Sequence, residues 1–287
     1  MKKISIFIEL TRLNKPIGFL LLFWPCLWGL TLANYQNQNN LTYIYYLILF
    51  FLGSVLMRSV GCIINDIVDK KFDKKVLRTK FRPIASGEIS VLNALVYVFI
   101  LCLLALIILL QFNFLTISLG IASMFLAFSY PYMKRFTYWP QLFLGLTFNW
   151  GIIMAWTAMN NAISIEPIIL YISAIFWTLG YDTVYGLQDI KDDEIIGLKS
   201  TAIKFKNSAK IFVGACYFLF TLFLLSLAII MDANKYFYIL LIVVILQLFY
   251  QIRTFKKDNP TSCLKVFKSN NYVGLVVFLC MGTFSFL

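Results

Sequence analysis

Runs of apolar residues long enough to cross a lipid bilayer recur along nearly the whole chain, and nothing else limits its fold so strongly. Crossing about 30 Å of hydrocarbon takes roughly 17 to 25 helical residues. Nine such runs are legible, with cores at residues 17 to 33, 42 to 64, 91 to 111, 113 to 131, 139 to 158, 166 to 186, 210 to 231, 236 to 252 and 271 to 287. Where no water is available, each segment must satisfy its own backbone N–H and C=O groups, which selects helices. The expected fold is therefore all-α, a polytopic membrane protein with nine transmembrane helices in a single domain over residues 1–287. Composition agrees: 61% hydrophobic residues against 13% charged leaves too little polar surface to wrap a water-soluble globule.

Lys2 and Lys3 precede a short apolar stretch, Ile4 to Leu10, with no small-residue cleavage site behind it. This reads as an interfacial helix leading through Arg12 and Lys15 into the first span, not as a removable signal. Lysine and arginine gather in cytoplasmic loops, so their positions give the orientation. The N-terminal segment and the loops after spans two, four, six and eight hold 23 of the 25 basic residues. Lys235 alone falls on the other side, and Arg58 lies inside a span. The N-terminus and these loops are expected on the cytoplasmic face of a bacterial inner membrane. The net charge of +12 is then a topology and lipid-headgroup signal, and no nucleic-acid partner is expected. No obligate protein partner is evident either.

The chain has no histidine, which removes histidine-ligated zinc, haem and Ser-His-Asp chemistry together. Its six cysteines show no paired metal spacing and read as small core residues.

Eight of the 13 acidic residues fall in two short windows. The first, Asn65 to Asp73, ends the second span; the second, Asp182 to Glu194, ends the sixth. On a helix, Asp66, Asp69 and Asp73 share one face with Asn65 beside it, and Asp182, Tyr185, Asp189 and either Asp192 or Asp193 form a similar stripe. Stacked like charges repel unless a cation lies between them, and hard divalent ions such as Mg²⁺ bridge carboxylates to phosphate oxygens. The windows are separated by four spans, a spacing that suggests two copies of a four-helix unit facing each other across a cavity. Two carboxylate rows sharing Mg²⁺ would seat a diphosphate. Arg78, Lys80, Arg82, Lys134, Arg135 and Lys199 flank the windows and can contact its outer oxygens, although any single lysine there is also an ordinary topology signal.

Arg58 lies two turns deeper on the first acidic face, where a charge costs about 2.5 to 3.5 kcal/mol on insertion scales. Two readings stand for it: a salt bridge to a neighbouring helix, with Asp182 as partner, or a hold on the carboxylate of a small acidic acceptor.

These motifs resemble the UbiA superfamily of intramembrane aromatic prenyltransferases. The resemblance rests on N-D-x-x-D-x-x-x-D at Asn65 to Asp73, preceded by Arg58-Ser59-Val60-Gly61-Cys62 and followed by Arg78-Thr79-Lys80-Phe81-Arg82-Pro83. It rests also on D-x-x-Y-x-x-Q-D-x-x-x-D from Asp182, with Gly197 to Thr201 behind it. The opening Arg12 to Gly18, Trp24-Pro25 and Tyr130 to Arg135 are similar to the branch that prenylates 4-hydroxybenzoate for ubiquinone synthesis. The resemblance implies nine helices around a central cavity, a lateral opening to lipid, and polyprenyl diphosphate and a small aromatic acid as substrates. Its residue roles carry over as Mg²⁺ held by Asn65, Asp66, Asp69, Asp73, Asp182, Asp189 and Asp193. Arg78, Lys134, Arg135, Tyr185 and Lys199 would bind the diphosphate, and Arg58 the benzoate.

The expected reaction draws off diphosphate to leave an allylic cation, which the ring attacks ortho to its hydroxyl. Asp69 and Arg58 organise it, and Asp189 or a water takes the ring proton. Phe125, Phe128, Phe148, Trp150 and Trp156 can shelter a cation, yet aromatics in spans are more often packing or lipid-facing. Two rival readings keep the acids in use: another aromatic acceptor such as naphthoate or homogentisate, or a transporter. A transporter would place its acids near the midplane, whereas these end their helices on one side.

Overall fold

The computed structural model describes the backbone of residues 2–37, 39–76 and 79–286 and the side chains of 4–35, 39–76 and 79–284. Fourteen helices follow in chain order, and no strand occurs among the described residues. They are α1 (Lys2–Thr11), α2 (Ile17–Asn37), α3 (Asn40–Asp73), α4 (Pro83–Ser86), α5 (Val91–Leu109), α6 (Phe114–Phe136) and α7 (Pro140–Phe148). Then come α8 (Gly151–Asn160), α9 (Ile165–Gly186), α10 (Ile190–Ile195), α11 (Thr201–Lys204), α12 (Ala209–Ile230), α13 (Lys235–Thr254) and α14 (Pro260–Gly282).

Among the described residues, eight segments are long and apolar enough to cross a membrane, with α7 and α8 together forming one of them. The expected ninth, 271 to 287, is the second half of α14 and a 3-10 turn at Thr283–Phe286. Polar residues at Lys265, Lys268, Asn270 and Asn271 dilute that helix, so by length and apolarity the count is eight. The other departures are local. The fifth run is broken between α7 and α8, where Asn149 donates its side-chain amide to Gly145 O and Thr178 Oγ1, both at 2.8 Å. The second run belongs to a 34-residue helix, α3, which at 1.5 Å per residue measures about 51 Å and outreaches the hydrocarbon. Its surplus turns carry the first acidic window past the apolar layer.

The main core lies among α2, α8, α9, α12, α13 and α14. Trp28, Trp177 and Phe220 meet at its centre, with Trp28 and Trp177 ring centroids 5.0 Å apart. An indole N–H without an acceptor is costly in so dry a place. α14 supplies the acceptors: Trp24 donates to Asn271 Oδ1, Trp177 to Asn270 Oδ1 and Trp28 to Gly274 O, each at 2.8 Å. α2 and α8 approach so closely that a Cβ on Gly29 would meet Ile152 O at 2.5 Å. α1, α3 and α5 share a second cluster around Leu10, Ile63 and Ile84. α1 leaves Ile4 and Ile8 exposed while burying Leu10, as an interfacial helix should. The outer faces of α5 and α13 expose rows of leucine, isoleucine and phenylalanine, a surface suited to lipid.

Candidate active site

A cavity of about 1880 Å³ opens between these helices, and both acidic windows line it. From α3 come Asn65, Asp69 and Asp73; from the second window come Asp182, Tyr185, Asp189 and Asp193.

The first window is one continuous helical face, as the spacing requires, and its three aspartates are 1%, 3% and 7% exposed at Asp66, Asp69 and Asp73. Side-chain cations neutralise them. Arg12 Nη2 donates to Asp66 Oδ1 at 2.7 Å, and Arg82 Nη1 reaches Asp66 Oδ1 at 3.1 Å and Asp73 Oδ2 at 2.9 Å. Lys134 Nζ pairs with Asp69 Oδ2, and Arg135 Nη2 stands 3.9 Å from Asp69 Oδ1. Asp66 is thus enclosed between two arginines and does not line the cavity. Arg12 directly follows α1 with φ 55. A non-glycine residue in that region costs on the order of 1 kcal/mol, which the ion pair with Asp66 offsets.

The second window departs from the expected single stripe. α9 stops at Gly186, and Asp189 caps a separate helix, α10, that contains Asp193. The reason is packing: a Cβ on Gly186 would lie 3.1 Å from Ala202 Cβ and 3.5 Å from Gln141 Nε2, so α11 and α7 close on a residue that is already a weak helix former. The turn that follows still delivers Asp189 and Asp193 to the cavity, while Asp192 does not line it.

The remaining expected residues divide. Lys134 and Lys199 line the cavity, and Lys199 also ties the loop after α10 to the end of α6: its N–H donates to Lys134 O at 2.8 Å and its Nζ to Phe136 O at 3.3 Å. Arg135 does not line it; the guanidinium donates to Val68 O at 2.8 Å and lies 5.2 Å and 5.5 Å from the Phe72 and Tyr132 rings. Arg78 lies outside the described residues. Phe128, Phe148 and Trp150 line the cavity, whereas Phe125 is 87% exposed and Trp156 is packed in the core.

Arg58 lines the cavity, half-buried, with its guanidinium 5.4 Å from the Phe148 ring centroid. A Cβ at Gly18 would meet its Nε at 2.8 Å, so glycine on α2 makes the space it occupies. No carboxylate oxygen of a described residue lies within 4 Å of it, so the salt bridge to Asp182 does not form.

Sequence reasoning missed the Arg12–Asp66 pair, which joins residues 54 positions apart and leaves no local signal. It also missed α14, whose Leu264, Phe267, Lys268 and Asn271 line the cavity at helical spacing. Polar residues interrupting an apolar run were the available signal there.

As a metal site the donor set is oxygen only, and Asp69 Oδ1 is buried without a hydrogen bond, which suits a hard divalent cation. Among the described residues no three carboxylates or thiols converge into a ready-made site. The ion pairs and the Lys199–Lys134 link hold the N-terminal segment and the loops after α3, α6 and α9 at one end of the bundle. Above the acids the walls turn apolar, and at Leu106 of α5 and Ile121 of α6 they are 42% and 58% exposed, so the cavity opens sideways between those helices.

Residues 22–278 match the UbiA prenyltransferase family. A 4-hydroxybenzoate octaprenyltransferase of Francisella tularensis subsp. mediasiatica is 44% identical over 280 residues, covering 97% of this chain and 96% of that protein. The mitochondrial 4-hydroxybenzoate polyprenyltransferase of Caenorhabditis elegans is 43% identical over 273 residues, 95% of this chain and 76% of its own. Among solved structures, a UbiA homolog from Aeropyrum pernix K1 shares the fold with a TM-score of 0.76 at 21% identity, covering 92% of this chain and 97% of that one. A UbiA homolog from Archaeoglobus fulgidus bound to GPP and Mg²⁺ has a TM-score of 0.71 at 17% identity, over 98% of this chain and 100% of that one.

Proposed function

Because the chain belongs to the UbiA prenyltransferase family and is an integral membrane protein, we propose that it transfers a polyprenyl group from its diphosphate to 4-hydroxybenzoate, ortho to the hydroxyl, a membrane step of ubiquinone synthesis. One observation carries the reading: a carboxylate-lined, cation-rimmed cavity that also holds Arg58 opens sideways between apolar helices. The names of the 43–44% identical relatives support the acceptor. The positive loops support an orientation with the N-terminus and the site on the cytoplasmic side, which we take to be that of a bacterial inner membrane.

Asn65, Asp69 and Asp73 with Asp182, Asp189 and Asp193 would hold Mg²⁺, whose chemistry when bound is to neutralise charge on the departing diphosphate. Asp66 has a different task, since it fixes Arg12 and Arg82 beside the site. Lys134 and Arg82, paired with Asp69 and Asp73, would be the cations available to phosphate oxygens if those carboxylates held the metal. Lys199 and Tyr185 line the same cavity and would contact the diphosphate. Phe148, Phe128 and Trp150 face the apolar part of the cavity, where an allylic cation is shielded from water. Arg58 holds the acceptor's carboxylate. Once the C–O bond to diphosphate breaks, the ring carbon ortho to the hydroxyl attacks the allylic cation, and Asp189 or a water accepts the displaced ring proton.

The acids lie at one end of the bundle, held there by ion pairs, which argues against a translocation path. Membranes containing the chain should convert labelled 4-hydroxybenzoate and polyprenyl diphosphate to prenylated acid only with Mg²⁺, and a chelator should stop the reaction. Absence of product, or product indifferent to chelation, refutes the proposal. Naphthoate and homogentisate in parallel reactions test the acceptor.

A further inference from the structure

The cavity has a wall that neither aspartate motif supplies. Leu264, Phe267, Lys268 and Asn271 of α14 follow one another at intervals of three, one and three residues, and all line it. Asn271 is committed, since its Oδ1 accepts from Trp24. Phe267 stacks near the second window, with its ring centroid 4.6 Å from that of Tyr185 and 5.8 Å from Tyr181. Lys268, beside it, is exposed, and no carboxylate oxygen of a described residue lies within 4 Å of its ammonium.

Among the described residues most other cavity cations are engaged, Lys15 included. Arg12, Arg82 and Lys134 are paired with Asp66, Asp73 and Asp69, and Lys199 donates to a backbone carbonyl. Arg58 also has no acid, but it lies deeper, between Gly18 and Phe148. An aromatic acid approaching as an anion meets a cavity lined by five aspartates, of which Asp69 and Asp73 are balanced by Lys134 and Arg82. It needs a cation not already spent on an aspartate, placed where water still reaches, with ring surface beside it.

We propose that Lys268, which lines the same cavity as the Phe267 and Tyr185 rings, is the capture site for the anionic aromatic acceptor and a determinant of preference for carboxylated over neutral rings. This rests on the acceptor assignment above. Lys268 attracts the carboxylate at the mouth, the rings flank the aromatic plane, and the acid passes inward to Arg58. The polyprenyl chain uses the gap between α5 and α6, so the two substrates enter by separate routes.

The test compares wild type, Lys268→Gln and Lys268→Arg under initial-rate conditions. At low ionic strength Lys268→Gln should lose about tenfold in kcat/KM for 4-hydroxybenzoate, the lower end of electrostatic steering effects. Its kcat at saturating acid and its KM for polyprenyl diphosphate should stay within about twofold, a size that structural damage would exceed. Lys268→Arg should restore most of the loss. Wild-type kcat/KM for the acid should fall as salt rises, and that of Lys268→Gln should be nearly flat. The methyl ester of 4-hydroxybenzoate, which lacks the charge, should be used equally by both. Equilibrium dialysis of labelled 4-hydroxybenzoate without diphosphate gives a readout independent of turnover, with weaker binding expected for Lys268→Gln. An active wild type matched by Lys268→Gln in acid KM, salt response and binding overturns the proposal, as does an equal rise in both substrates' KM. A wild type that does not prenylate 4-hydroxybenzoate overturns the function proposed above instead.

Discussion

Gly18 decides where Arg58 lies, because any side chain at that position enters the space of the guanidinium. Gly18→Val should therefore raise KM for the aromatic acid severalfold while leaving KM for the diphosphate nearly unchanged, which steady-state kinetics in detergent will show. Arg58→Ala should do the same more strongly, on the order of the 1.5–3 kcal/mol that a charged hydrogen bond contributes. Equal losses for both substrates would remove its assigned role. Asp66 and Asp69 offer a contrast within one helix face. Asp69→Asn should lower kcat by on the order of 10² to 10³, the range seen when one electrostatic stabiliser is removed. Asp66→Asn removes the negative charge shared by Arg12 and Arg82, so its main effect should be a lower unfolding temperature.

At the scale of elements, α14 is both a cavity wall and a rack of acceptors for buried indoles. Asn270→Leu leaves the Trp177 N–H unpaired and should destabilise the fold by about 1 to 3 kcal/mol. Thermal unfolding of purified protein measures this, and an unchanged midpoint would mean that the bond contributes nothing. The helices themselves were legible from apolar run length, and α3 carries its aspartates on one face because 3.6-residue periodicity leaves no alternative once the helix continues. The break after Gly186 was not legible, since it depends on Ala202 and Gln141 arriving from distant segments. The counter-cations were half-legible: Arg82 and Lys134 stood out beside the motifs, but their pairing with Asp73 and Asp69 required the tertiary fold. α14 looked like a plain span because Lys265 and Lys268 were read as loop, when Lys268 and Asn271 face the cavity and Asn270 the core.

For the molecule as a whole, the sideways opening at Leu106 and Ile121 would keep a long isoprenoid in an apolar setting. Ile121→Trp should narrow it, raising KM for long polyprenyl diphosphates while geranyl diphosphate reacts as before; equal effects on both would place the tail elsewhere. The 34-residue α3 has a consequence of its own. Since a helix of that length outreaches the hydrocarbon, the proposed diphosphate seat on its acidic turns would lie at the depth of the phospholipid headgroups. An amphiphile with an anionic head and an oily tail can thus be processed without either part changing the medium it prefers, and the product is left in the leaflet with only its new aromatic head to turn around.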